Sequence, residues 1–143
     1  MKKYIRTAKS PRYNVDRAFS GNYETRFDYA KRVKDPAALE IYTYDVSAMV
    51  RTAVASNVNL PLECMEVLVH DPDRSVVFAL SHNKSIPASI LADLAKSDFD
   101  EVRMSVAVNP NTPEDALRQL TDDREVLISC YAKDNLRKRG ISI

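Results

Sequence analysis

The chain has 143 residues, 45% hydrophobic and 29% charged, with no Trp, two Gly and a net charge of +1. That suits one folded domain of ordinary size, and the shortage of glycine excludes a Gly-rich phosphate loop and argues against a turn-rich all-β fold. The small net charge conceals a segregation, with residues 1–34 at +7, residues 35–132 at −9 and residues 133–143 at +3, so basic ends flank an acidic middle.

Residues 1–24 come first and interleave Lys2, Lys3, Arg6, Lys9, Arg12 and Arg17 with Tyr4, Tyr13, Phe19 and Tyr23. Such a stretch serves either as a cap packed on the first repeat or as an arm whose cations hold a nucleic-acid backbone while its rings stack on bases. The near-neutral balance of the whole chain counts against a dedicated nucleic-acid binder. The stretch lacks an apolar core of signal-peptide length. Nothing further along approaches the ~20 apolar residues of a membrane span. A cytoplasmic protein with no membrane partner is the expectation.

From residue 25 to 133 the chain repeats itself. Pro11, Pro36, Pro61, Pro87 and Pro113 are spaced 25, 25, 26 and 26 residues apart. Asn57, Asn83 and Asn109 keep the 26-residue interval, as do Leu68, Leu94 and Leu120. Val50, Val76, Val102 and Val126 fall at 26, 26 and 24. Fixed self-similarity of this length marks stacked repeats. The copy at Pro36 fits with a one-residue slip, and a weaker copy begins at Pro11.

Each unit predicts a helix opened by its proline, which suits a first helical position because its missing N–H costs nothing there. Asp35 and Thr112 precede their prolines and are placed to cap. Cys64, Met65, Leu68 and Val69, then Ile90, Leu91, Leu94 and Ala95, then Ala116, Leu117 and Leu120 form one apolar stripe. The polar breaks HDPDRS, KSDFDE and TDDRE read as a turn and the cap of a second, short helix. That helix buries Val50/Ala53/Val54, Val76/Ala79/Leu80 and Val102/Ser105/Val106. The closing Asn of each unit suits a left-handed residue or a bond to nearby backbone. NVNLP, NKSIP and NPNTP are short enough for only a tight turn or a single 3₁₀ turn. After Glu125 a longer basic helix begins, and residues 134–143 are read as a basic tail.

One unit cannot bury its stripe alone, so the prediction is all-α, a solenoid of stacked short helices. At Val102, Arg103, Val106, Ala107 and Asn109, followed by Pro110–Pro113, the chain resembles the leucine-rich repeat variant family. The resemblance covers roughly residues 25–133 and is strongest from Val102 to Pro113. It departs at Val77, where Arg is expected, and at Asn83-Lys84, where Asn-Pro is expected. It implies a right-handed superhelix in which longer α-helices alternate with short or 3₁₀ helices, and it brings no catalytic residue. HEAT-type repeats are the second choice of fold; they usually run longer per unit.

Candidate sites are few. His70 and His82 lie in different units without ligands at metal spacing, and neither sits in a nucleophilic constellation. The acidic pairs at each turn fit capping better than acid–base chemistry or calcium binding. Cys64 and Cys130 cannot frame a disulfide scaffold, a four-thiolate site or a cluster, and read as buried free thiols. Arg26, Arg51 and Arg103 recur at one position of the short helix. They either pack over a neighbour with the guanidinium on the acidic turns, or line a face toward an acidic partner. The expectation is a non-enzymatic scaffold without cofactor or metal, held together at Pro36, Pro61, Pro87, Pro113, the three asparagines and the three leucines. It binds a macromolecule, first a protein, through Arg26, Arg51 and Arg103 or through Lys2, Lys3, Arg6, Lys9 and Arg12. The alternative is nucleic-acid binding by the basic ends.

Overall fold

A computed structural model describes residues 21–143. Among the described residues there are nine helices, all α, and no strand. The expected all-α class is what the chain adopts. The helices are α1 (Tyr23–Arg32), α2 (Pro36–Thr43), α3 (Ala48–Ala55), α4 (Leu62–Leu68), α5 (Arg74–Ser81), α6 (Ala88–Leu94), α7 (Asp100–Val108), α8 (Glu114–Leu120) and α9 (Val126–Lys138). They divide into two compact units, one ending at Ser85 and the other running over Ile86–Ile143.

In the first unit α1 packs on α3 and α3 on α5, while the proline-led α2 and α4 lie beside them. In the second unit α7 packs on α9, with α6 and α8 alongside. The predicted stripes form the cores. Cys64, Met65 and Leu68 are buried in the first; Ile90, Leu91, Leu94, Leu117 and Leu120 are buried in the second. The facing row contributes Val50, Val54, Val76 and Leu80 to the first unit and Val102 and Val106 to the second. Each fully buried Leu or Val stabilises by roughly 1.5–3 kcal/mol. Helices of 7 to 9 residues are too short to persist on propensity, so this packing holds them.

Several local expectations are corrected. Only Pro36 takes the first helical position, with Asp35 capping through a 3.1 Å bond from the Ala37 N–H. Pro61, Pro87 and Pro113 stand one place earlier, as N-caps in extended conformation. Thr112 is no cap. Fully buried, it donates its hydroxyl to the Val106 carbonyl, filling the slot that Leu60 and Ile86 occupy with hydrocarbon in the earlier copies. The proline-led helices are not the longer ones. They have 7 or 8 residues, against 8 or 9 for α3, α5 and α7, because the acidic turn stops them one turn after the stripe begins. No 3₁₀ helix occurs among the described residues; the segments after Asn57, Asn83 and Asn109 are turns.

Val126 is not the counterpart of Val102. It is 75% exposed, and Ile128, at the full 26-residue interval, is the buried one. α9 runs unbroken across residue 134, where the tail was set to begin, and buries Asn135 and Leu136. It ends at Gly140, whose φ of +72° supplies the left-handed turn that glycine adopts without strain.

Candidate binding surface

Two ladders of polar side chains join the repeats. In the first, an arginine of one short helix reaches the acidic turn of the next unit. Arg26 Nε donates to Asp45 at 2.8 Å, Arg51 Nε to Asp71 at 2.7 Å and Arg103 Nε to Asp123 at 2.7 Å. In each pair the second guanidinium nitrogen reaches the other carboxylate oxygen at 3.1 or 3.2 Å, a bidentate fork that lysine cannot make. A third nitrogen bonds backbone at Gly21, Asp45 or Ser97. The carboxylate also organises its own turn, since Asp45, Asp71 and Asp123 accept the N–H of Ser47, Asp73 and Glu125.

The charges are held accordingly. Hydrogen bonds donated to Asp45, Asp71 and Asp123 raise the pKa of the three arginines despite their burial. Burial pushes the Asp123 carboxyl up, but Arg103 and the Glu125 N–H outweigh it and hold that group below the usual range. Exposed Asp100 is lowered by its bonds to Arg124 and Arg103.

The second ladder is made of asparagines. Asn57 donates its side-chain amide to the carbonyls of Ala30 and Val33, Asn83 to Ala55 and Asn57, and Asn135 to Ala107 and Asn109. These are carbonyls at helix C-termini, which lack an intrahelical partner and need one when buried. The oxygens of Asn57, Asn83 and Asn109 meanwhile accept the N–H two residues on. None of the asparagines is left-handed; among the described residues only Gly21 and Gly140 have positive φ.

Arg26, Arg51 and Arg103 are therefore brought to equivalent positions, and each guanidinium is engaged inside the chain. Lys2, Lys3, Arg6, Lys9 and Arg12, with Pro11, lie outside the described residues. His82 is exposed, bonded to the Phe78 carbonyl and tilted over the Phe78 ring at 4.4 Å. His70 is exposed on a turn. Cys64 is buried, and that burial raises its thiol; Cys130, expected to be buried, is exposed. No three metal-ligating side chains gather among the described residues, and no described helix is long and apolar enough to cross a membrane.

Sequence reading set the arginines on the acidic turns without naming Asp45, Asp71 and Asp123 as the partners, and it stopped the asparagine column one member short. The signal was present: Asp45, Asp71, Ser97 and Asp123 fall every 26 residues, as do Asn57, Asn83, Asn109 and Asn135.

In the second unit a shallow groove of about 420 Å³ opens between the turns at Ala95–Asp98 and Gln119–Arg124, with Arg103 and Asp123 on its wall. Lys96 and Arg124 are matched there by Asp98 and Asp122, so the groove presents no field of one sign. The exposed large apolar side chains lie elsewhere. Met49 on α3, Phe78 on α5, Val108 on α7 and Leu127 and Tyr131 on α9 are 41–61% exposed. In the repeat register Met49 and Leu127 take the same position, while Phe78, Val108 and Tyr131 take others.

Among curated proteins and among solved structures, nothing matches this chain. The family model described as leucine rich repeat variant matches residues 48–73 and 100–125. Each matched segment holds one complete pair, Arg51 with Asp71 or Arg103 with Asp123. The unit between them has Val77 and Ser97 at those positions. With the helical repeat, the two ladders and these matches together, the chain is a helical repeat protein whose segments 48–73 and 100–125 match the leucine rich repeat variant model.

Proposed function

We propose that this protein is a non-catalytic scaffold that binds a protein partner, and that the partner meets the outward face of the short helices. One observation carries the reading: within each unit, large apolar side chains on the short helices stay 41–61% exposed, Met49 and Phe78 in the first and Val108, Leu127 and Tyr131 in the second. Single exposed hydrophobes need no explanation, but several of them along one row of helices are what a binding face requires. The arginines support it by contrast. Their donors are used within the chain, so they are repeat couplers in this reading rather than contacts.

The test immobilises the intact chain, identifies the proteins it retains, and compares Phe78→Glu and Leu127→Glu. Loss of a specific partner with unchanged melting temperature supports the face. Retention of that partner by both variants defeats it. Capture of labelled RNA or DNA that fades steeply with salt would instead select the nucleic-acid reading.

A further inference from the structure

We propose that α9 is a built-in end cap: it docks on the helix before it but closes its opposite face to any further repeat. Three observations lead there independently. The first is a column of small residues. Ala30, Ala55, Ser81 and Ala107 occupy one position of successive short helices and are 0–3% exposed; in α9 that position is Lys133. A small side chain lets the next backbone approach, whereas Lys133 would have to bury an ammonium without a partner.

The second is the arginine column. Where α7 carries Arg103, which reaches forward to Asp123, α9 carries Ser129. Its hydroxyl points back and donates to the Thr121 carbonyl within hydrogen-bond distance. No forward fork remains, nor the hydrocarbon with which Val77 fills the same position in α5.

The third concerns backbone acceptors. A following asparagine can clamp onto α1, α3 and α7 because those helices end there and leave orphan carbonyls. α9 instead runs for 13 residues, to Lys138. Helical continuation occupies the Lys133 carbonyl, and the Asn135 carbonyl accepts the Arg139 N–H at 3.3 Å. Arg139 then folds over the preceding turn and donates to the carbonyls of Thr112 and Pro110 at 2.7 and 2.6 Å. Every device that continues the stack is absent from α9, while Asn135, the device that receives it, is kept.

The consequence is that α9 does not extend the array, in this chain or by stacking of a second copy. The experiment adds one unit of 26 residues in two ways. One chain duplicates residues 100–125 in place, so the added short helix carries the Arg103 and Ala107 pattern. The other duplicates residues 110–135, so the inner copy carries Ser129 and Lys133. Ellipticity and backbone hydrogen exchange of the added unit are measured. The first chain should gain the ellipticity of another helix pair, with the added amides protected within the cooperative fold. In the second, the added unit should exchange at least tenfold faster. Ser129→Arg with Lys133→Ala in its inner copy should restore protection. Equal protection in both chains, no protection in the first, or no rescue by the paired substitution would each overturn the proposal.

Discussion

Replacing Arg103 by Val and Asp123 by Ser, singly and together, measures what the arginine ladder contributes. The chain already carries that combination once, at Val77 and Ser97. In the second unit the side chains of Arg103 and Asp123 are 8% and 6% exposed. Arg103→Val strands Asp123, which keeps only the Glu125 N–H of its bonds. Breaking a buried pair from one side costs about 3–5 kcal/mol; water entering the adjoining groove brings the expectation to about 3. Asp123→Ser is milder. Arg103 retains Asp100 and the Ser97 carbonyl, and a serine hydroxyl can take over the turn bond, as Ser97 Oγ does for the Phe99 N–H. Its cost is about 1–2 kcal/mol. The double variant leaves no charge behind and should cost about 2, so the pair couples by about 2–3 kcal/mol. Urea unfolding followed by far-UV ellipticity gives the midpoints and checks that the slope is unchanged. Hydrogen exchange of peptides within Ile86–Ile143 assigns the loss to the second unit. Single costs that add to the double within ~0.5 kcal/mol would show that the two side chains do not act as a pair.

Asn135→Ala removes two bonds to buried carbonyls and should destabilise the second unit by about 2–3 kcal/mol; an unchanged urea midpoint would refute the clamp. Asn135→Asp should be worse, since a carboxylate faces those carbonyls, and the difference between the two variants reads the donor directly. Asp123 is held below its unfolded pKa of ~3.9. Its stabilising share is therefore present above that value and disappears as pH falls through the lower folded value. The midpoint of Asp123→Asn should depend less on pH than the wild type below about pH 4, in urea titrations taken from pH 6 to 3. Leu94→Asp places a charge at a site with 0% exposure and should abolish cooperative melting of its unit. Glu114→Ala breaks only the exposed bond to Arg118 and should shift stability by under ~0.5 kcal/mol. A thiol reagent should modify Cys130 at once and Cys64 only on unfolding; simultaneous reaction of both would contradict the packing of α4.

The apolar stripe was legible because burial repeats with the helix and is written in side-chain type alone. Leu68, Leu94 and Leu120 show it, each nearly fully buried. The proline positions were legible as helix starts but not to the residue, because N-cap and first-turn prolines differ in ψ and not in composition. The arginine column was visible and its partner was not. Asp45, Asp71 and Asp123 sit in turns crowded with other acids, and only their distance from the arginine, 19 or 20 residues, separates the ladder member from its solvated neighbours. Asn135 was missed for a different reason. Its column mates precede turns, whereas it lies inside a continuing helix, so the same side-chain chemistry appears in another local setting. Cys130 and Val126 were misjudged in register: Cys130 repeats the exposed position of Phe78, and Val126 that of Arg74 and Asp100.

Val77 and Ser97 show how the repeats tolerate change. Losing Arg alone would leave a buried Asp, at about 3 kcal/mol, and losing Asp alone would leave a guanidinium short of its main partner, at about 1–2 kcal/mol. Losing both replaces an ion pair by an aliphatic side chain and a small hydroxyl and strands neither charge, so it costs less than the two single losses together. Val77 is 1% exposed, so it fills its site with hydrocarbon, and Ser97 keeps the turn bond to the Phe99 N–H that an aspartate would have made. The intervening unit thus keeps its capping and its core while discarding only the charge. The two positions behave as one character, present or absent together, and the pair is complete in each of the two segments that the family model recognises. What the two matched segments share beyond their leucines, which any helical repeat has, is a coupled arginine and aspartate 20 residues apart.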